Sequence, residues 1–351
     1  METIDSAARD EVLFIHRWPA GKPFWLEEML GEEQFAVTRC SRWRRPLLKG
    51  SLHRLELRVQ SAALGWKAAR HALRRRVLVL AGDFDAGIVC AIVLRLLRQR
   101  APVLCLNMIF VDDPTPRARL RKLLQRLALG NPGTHFTVNN PSLRRDYARL
   151  LHVGEERFTV LADCCAPHVE VTAPDERRDA GDYVFVGGDS ARDWRTAVAV
   201  AAACHPIPFV FVLRQGQWPD LPVPPNVELR FDLPLAEFWA TVRGSRLVLV
   251  PLLRPVTAGL IVLTRAASMG SLVIATRTAA TEQYYPPECR QLLVPMFDAA
   301  ALAERVTQYW HDTEARLEAA KRQQAYMLER HSARAYAATI ASELRHARDA
   351  A

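Results

Sequence analysis

The chain has 351 residues, 50% of them hydrophobic and 24% charged, with a formal net charge of +9, a composition that suits a soluble protein large enough for two domains with cores of their own. Seven cysteines without CxxC or His-rich spacing argue against structural zinc and against a disulfide framework. The longest apolar span, TAVAVAAACHPIPFVFVL, is interrupted by His205, Pro206 and Pro208 and reads as a helix end followed by a strand, which excludes a membrane helix there.

In chain order, the opening METIDSAARDE is acidic and lacks an apolar stretch, so a cytoplasmic protein is expected. EVLFIHRW is a first strand, GKPFWLEEML a turn and short helix, and QFAVTR a second strand. The segment RCSRWRRPLLKGSLHRLELR interleaves arginine with Trp43 and leucines. That mixture suits a surface that dips apolar groups into lipid headgroups, or equally a loop and helix with solvated arginines. A helix from Ser61 to Arg76 then leads into RVLVLAG, a buried strand that exits through Gly82-Asp83-Phe84-Asp85-Ala86-Gly87. AGIVCAIVLRLLRQR is a helix, PVLCLNMIF a strand, and PRARLRKLLQRLALG a strongly basic amphipathic helix opened by Pro116 and closed by Gly130. HFTVNN, PSLRRDYARLL and RFTVLADC complete a strand, helix and strand. The alternation is that of a doubly wound parallel sheet.

APHVEVTAPDERRDAGD is polar and without period, and marks a boundary. YVFVGG starts a second such sheet, continued by helix SARDWRTAVAVAAAC, strands PFVFVL and VELRF, and helix LAEFWATVRG. The stretch RLVLVPLLRPVTAGLIVLTRAASMGSLVIAT packs strand, loop, helix and strand into residues 246–276, and a long helical tail runs from about Glu314 to Arg348. The expected architecture is α/β, two Rossmann-like parallel-sheet domains at 1–170 and 180–330, with a C-terminal helix at 331–351 packing back on the first. Cys164 and Cys165 are adjacent; they read as small buried hydrophobes at a strand end, or as a redox pair.

In residues 246–276, the frame of apolar strand, proline, loop, TAGL, apolar helix, MG and VIAT resembles the donor-nucleotide segment of GT-B glycosyltransferases of the family 4 type. The family's two glutamates are replaced by Thr257 and Arg265. A guanidinium has five donors and no acceptor, so Arg265 cannot take ribose hydroxyl protons; it can grip a phosphate or point to solvent. VGGDSARDW is similar to the family's glycine loop at the donor pyrophosphate, with Gly187, Gly188 and Arg192 in matching places. Glycine backbone and an adjacent cation at a helix start bind phosphate for a clear physical reason.

The resemblance implies a glycosyltransferase moving a sugar from a nucleotide-sugar donor to a glycan, lipid-linked or polysaccharide acceptor, with retention of configuration, no bound metal and no separate cofactor. Donor contacts then fall to Gly187, Gly188, Arg192, Thr257, Ala258, Gly259 and Arg265. In the first domain Asp83 is expected as catalytic base, with Asp85 and Asn107 on the acceptor side. Asp85 reads equally as a helix N-cap and Asn107 as a turn residue. The missing glutamates also suit a degenerate GT-B protein that binds a glycan or partner without turnover. Residues 1–180 hold 29 Lys and Arg against 21 Asp and Glu. That excess suggests an anionic partner, either a membrane surface met peripherally on the inner face or a phosphorylated acceptor, and not nucleic acid, or else compositional drift toward arginine.

Overall fold

The structure is a computed structural model that describes residues 10–17, 24–41, 50–110, 113–165, 171–176, 181–255 and 259–349. It forms two compact units, Met1–Ala162 with Tyr336–Ala351, and Asp163–Ala335. The chain thus divides after Ala162, two residues beyond the last strand of the first unit, which ends at Val160.

The first unit is built from β1 (Asp10–His16), α1 (Trp25–Glu32), β2 (Phe35–Ser41), α2 (Gly50–Arg75), β3 (Leu78–Ala81), α3 (Phe84–Leu96), β4 (Val103–Cys105), α4 (Pro116–Leu129), β5 (Thr134–Val138), α5 (Pro141–Leu151) and β6 (Phe158–Val160). Its six strands lie in the order β2-β1-β3-β4-β5-β6, all parallel, with Val12 opposite Leu78 and Val79 opposite Val103. Strands buried on both faces must be apolar throughout. Val12 to Ile15 and Leu78 to Ala81 meet that demand at 5% exposure or less. α2 begins eleven residues before the helix expected from Ser61, because SLHRLELRVQ has helical spacing and its charges remain in solvent. β4 is short: PVLCLNMIF stops pairing after Cys105, and Asn107 turns the chain with φ of 57°.

The second unit runs β7 (Val184–Gly187), α6 (Trp194–Ala203), β8 (Phe209–Leu213), β9 (Val227–Phe231), α7 (Leu235–Arg243), β10 (Leu247–Val250), α8 (Leu260–Ser268), β11 (Leu272–Thr276), β12 (Leu293–Val294), α9 (Ala299–His311) and α10 (Thr313–Arg330), and α11 (Ala333–Asp349) leads out of it. Its sheet is again parallel, ordered β12-β11-β10-β7-β8-β9.

The tail is two helices and not one. His331 stops α10: it is buried, one ring nitrogen lies 2.9 Å from the Gln283 carbonyl, and its own carbonyl accepts from Cys165 N at 2.8 Å. Ser332 then caps α11 by accepting from Ala335 N. α11 packs within the first unit, where Glu343 accepts from Thr159 Oγ1 at 2.9 Å and Tyr336 meets the Trp25 ring at 5.8 Å.

Candidate functional site

In a parallel sheet the strand order reverses at one point, and the loops leaving the carboxyl ends of the two strands there part to form a crevice. In the second unit β7 to β9 progress one way and β10 returns to the other side of β7, so the crevice lies between the loops after β7 and β10. Those loops are VGGDSARDW and PLLRPVTAG.

The two loops are joined by backbone. Leu253 N donates to Ala191 O at 2.8 Å and Asp193 N to Pro251 O at 3.0 Å, with Arg192 bridged to Leu252. Helix α6 starts at Trp194, four residues later than the sequence suggests, because Asp193 caps it by accepting from Thr196 N at 3.0 Å. The loop from Gly188 to Asp193 is thereby free to wrap the crevice.

Arg192 lies at its centre, 6% exposed. Its Nε, Nη1 and Nη2 have no hydrogen-bond partner among the described residues. Burial without a counter-charge pulls its pKa down to about 10. Two glycines let the guanidinium in: a Cβ at Gly188 would stand 2.7 Å from Nη2, and one at Gly259 3.4 Å from it. Both glycines hold positive φ, 117° and 85°, which side chains rarely adopt. Gly259 is also the N-cap of α8, so unpaired helix amides are presented beside the cation. A buried cation with five donors, two glycines and a helix N-terminus is a receptor for a multiply charged anion.

A cavity of about 520 Å³ opens from Gly188 along the carboxyl ends of β8 and β9. Leu213, Leu235 and Phe238 give it apolar walls, and Arg214 and Asp232 line it too. Arg214 pairs with Asp189 at 2.6 Å, while Asp232 accepts from Gln215 N. An apolar wall with polar groups at its border can accept a heteroaromatic ring, adjacent to the anion receptor. Nothing in the amino-acid order singled out Leu213, Leu235 or Phe238, since they look like ordinary strand and helix residues.

Of the expected donor residues, Gly187, Gly188, Arg192 and Gly259 come together. Gly187 ends β7, where a Cβ would run into the Phe185 ring and stand 3.1 Å from the Val212 carbonyl, so its emptiness serves the packing of that ring. Thr257 and Ala258 lie outside the described residues. Arg265 neither grips the crevice nor points to solvent: its guanidinium stacks 4.1 Å over the Trp239 ring of α7. Burial lowers its pKa, Cys165 opposes and Arg243 reinforces the shift.

In the first unit the strand order reverses between β1 and β3. Asp83 stands there, and it, not Asp85, is the helix cap. Asp83 is the N-cap of α3, accepting from Ala86 N at 3.1 Å, while Asp85 is exposed in the first helical turn. The other Asp83 oxygen takes Ser61 Oγ at 3.1 Å and Arg17 Nε at 2.5 Å. An N-cap must precede the first helical residue, and α3 begins at Phe84 because its apolar face needs Phe84 against the Phe136 ring. Asn107 is exposed at the carboxyl end of β4, its backbone N held by Thr137 Oγ1 at 2.8 Å. Cys164 is half-buried and Cys165 buried in a bridge to Ser332, and neither is in a disulfide; burial pushes the Cys164 thiol up to about 12.

Residues 190–342 match the family model described as glycosyl transferase-like. No curated protein matches the chain. Among solved structures, sucrose-phosphate synthase from Thermosynechococcus elongatus superposes with a TM-score of 0.69 at 17% identity, over 98% of this chain and 100% of that one. HepE from Anabaena, solved in complex with UDP and glucose, gives 0.65 at 17% identity over 96% and 100%. A UDP-forming α,α-trehalose-phosphate synthase from Burkholderia xenovorans gives 0.63 at 11% identity over 97% and 99%. The chain therefore has the GT-B fold over nearly its whole length, and residues 190–342 are similar in sequence to the glycosyl transferase-like family.

Proposed function

We propose that the protein transfers a sugar from a nucleotide-sugar donor to a glycan, lipid-linked or polysaccharide acceptor. The observation that carries this is the buried, unpartnered guanidinium of Arg192 between Gly188 and Gly259. When the bond from the anomeric carbon to the donor oxygen breaks, negative charge grows on the departing diphosphate. A guanidinium already in place, in a site shielded from water, stabilises that charge without reorganising. It also supplies the positive charge that a divalent ion would bring, so this reading takes no metal and no cofactor beyond the donor.

The 520 Å³ cavity receives the nucleoside, with its base against Phe238 and Leu235. UDP bound to HepE supports a uridine donor. Retention of configuration and residence in the cytoplasm, with peripheral membrane contact on the inner face, belong to the same reading. The resemblance of the TAGL frame supports the first, and the excess of Lys and Arg over residues 1–180 supports the membrane contact. Asp83 is assigned to tying the loop after β3 to Arg17 at the end of β1 and to Ser61 of α2, and Asp85 and Asn107, both exposed at that end of the sheet, to acceptor contact.

The test is calorimetry with UDP, GDP, ADP and TDP on the wild type and on Arg192→Ala, followed by transfer assays with the donor that binds. A charge-assisted bond to phosphate contributes about 1.5–3 kcal/mol, so the variant should bind at least tenfold more weakly. Equal affinity in a folded variant would remove the phosphate site from this crevice. Tight donor binding without transfer to any glycan acceptor would leave a binding protein.

A further inference from the structure

The positive charge of the molecule is concentrated in one stretch. Residues 50–130 hold fifteen Lys and Arg against five Asp and Glu, a net of +10, while the whole chain has +9. This stretch builds α2, α3 and α4, which follow successive right-handed crossovers in one direction and so cover one face of the first unit's sheet. α2 packs on α3 and α3 on α4; Arg95 of α3 donates to the Leu127 carbonyl of α4 at 2.8 Å.

Within that layer α4 is inverted. Its buried residues are Ala118, Gln125, Ala128 and Leu129, whereas Leu120, Leu123, Leu124 and Leu127 are 57%, 53%, 37% and 38% exposed. Spacing of three, four and seven sets those leucines in one seam about 100° wide, opposite the buried face. At 3.6 residues per turn, Arg119 and Arg126 fall on one flank of the seam and Arg117 and Arg121 on the other. The helix contains no acidic residue. Facing inward, the Gln125 amide has neither atom partnered among the described residues. A helix selected only to pack on a sheet in water would bury its leucines and expose its glutamine.

The neighbouring helices extend the pattern. On α2 the side chains of Leu52, Leu55, Val59 and Trp66 are all more than half exposed, and their spacing puts them on one stripe. Arg58 and Lys67 lie to either side of it. At the end of α3, Leu96 and Leu97 are exposed as well.

We propose that this helical layer docks on the surface of an anionic lipid bilayer, the α4 leucine seam entering the boundary of the acyl chains while the flanking arginines meet lipid phosphates and carboxylates. A basic helix with an outward leucine seam is the arrangement that lies in the plane of a membrane, and the surrounding charge matches the potential of an anionic leaflet. A second copy of the chain on this face would set two strongly positive surfaces against each other. Nucleic acid would satisfy the arginines and leave the leucines in water. The proposal needs only the charge and the seam, and does not rest on sugar transfer.

The experiment is co-sedimentation of the full chain with vesicles of phosphatidylcholine alone and with about a third phosphatidylserine, an anionic fraction chosen to give a strong surface potential. The protein should follow only the anionic vesicles and be released as salt rises from roughly 0.05 to 0.5 M. Arg119→Gln with Arg126→Gln should lower partitioning about fivefold for each charge removed. Leu123→Ser with Leu127→Ser should lower it about tenfold or more. Because both leucines are more than a third exposed, the melting temperature of that variant should fall by only a few degrees, which separates lost docking from lost folding. Absent or equal binding to the two vesicle types would overturn the proposal. So would full vesicle binding by the leucine variant. A dimer by light scattering that this variant abolishes would assign the seam to a second copy. Binding to a random duplex oligonucleotide, without vesicle binding, would assign the charge to nucleic acid.

Discussion

A Cβ placed on Gly188 would stand 2.7 Å from Nη2 of Arg192, and the backbone at Gly188 holds φ at +117°. Glycine is required there for its conformation and for its emptiness. Gly188→Ala should cost about 1–3 kcal/mol in backbone strain and push the guanidinium out of line. The expected outcome is a lower melting temperature together with weaker nucleotide binding in calorimetry. A folded variant with full affinity would show that the crevice does not need Arg192 where it lies.

Arg192 itself should show opposed effects on stability and binding. Replacing a buried charge that has no counter-ion by an apolar side chain of similar length removes a desolvation penalty. Arg192→Met should therefore raise the stability of the free protein by about 1–3 kcal/mol while nucleotide affinity drops at least tenfold. Denaturant unfolding without ligand measures the first effect. A loss of stability there would mean that the protein itself pairs the cation.

Arg265 is expected to matter for packing alone. A guanidinium 4.1 Å over the Trp239 ring contributes about 0.5–2 kcal/mol, so Arg265→Ala should lower stability by that amount and leave nucleotide affinity unchanged. A clear loss of affinity would return the side chain to the donor site.

Asp83 receives a backbone amide, a serine hydroxyl and an arginine, which commits both carboxylate oxygens. Asp83→Ala should destabilise by about 1–3 kcal/mol through the lost cap and the abandoned Arg17. Asp83→Asn, which still caps, should cost less. If Asp83→Asn instead lowers turnover a hundredfold or more at an unchanged melting temperature, the carboxylate is a base.

Burial raises the Asp163 carboxyl from 3.8 to about 6. Between those values the native state holds the proton more often than the unfolded state does. Stability therefore falls as pH rises through that window, by up to about 3 kcal/mol in total. Asp163→Asn removes the effect. Its stability advantage over wild type should be near zero at about pH 4 and reach a plateau above about pH 6. An advantage that does not change with pH would show that Asp163 titrates alike in both states.

Much of the fold is legible in the order of residues because parallel strands buried on both faces must be continuous apolar runs. LFI, LVLA, FVFVL, LVLV and LVIAT each appear as such. Helix ends were less legible. Ser61 looked like a beginning only because the leucines before it sit among arginines, and the tail looked continuous because nothing local reveals that His331 finds a carbonyl at Gln283. The glycine loop and the TAGL frame were readable since positive φ and close approach leave few residue choices. The cavity beside them was not, as its apolar walls come from β8 and α7, two elements apart in the chain.

By itself the sequence determined the number of sheets, their parallel sense and the two loops that leave β7 and β10, because these follow from local pattern and spacing. Tertiary structure alone decided which polar groups have partners. That Arg192 is buried without one, that Arg265 turns to Trp239, that Asp83 and not Asp85 caps α3, and that α4 faces its leucines outward all depend on what lies across space from each side chain. Pairing and burial arise from neighbours distant in the chain, and so are properties of the packed molecule.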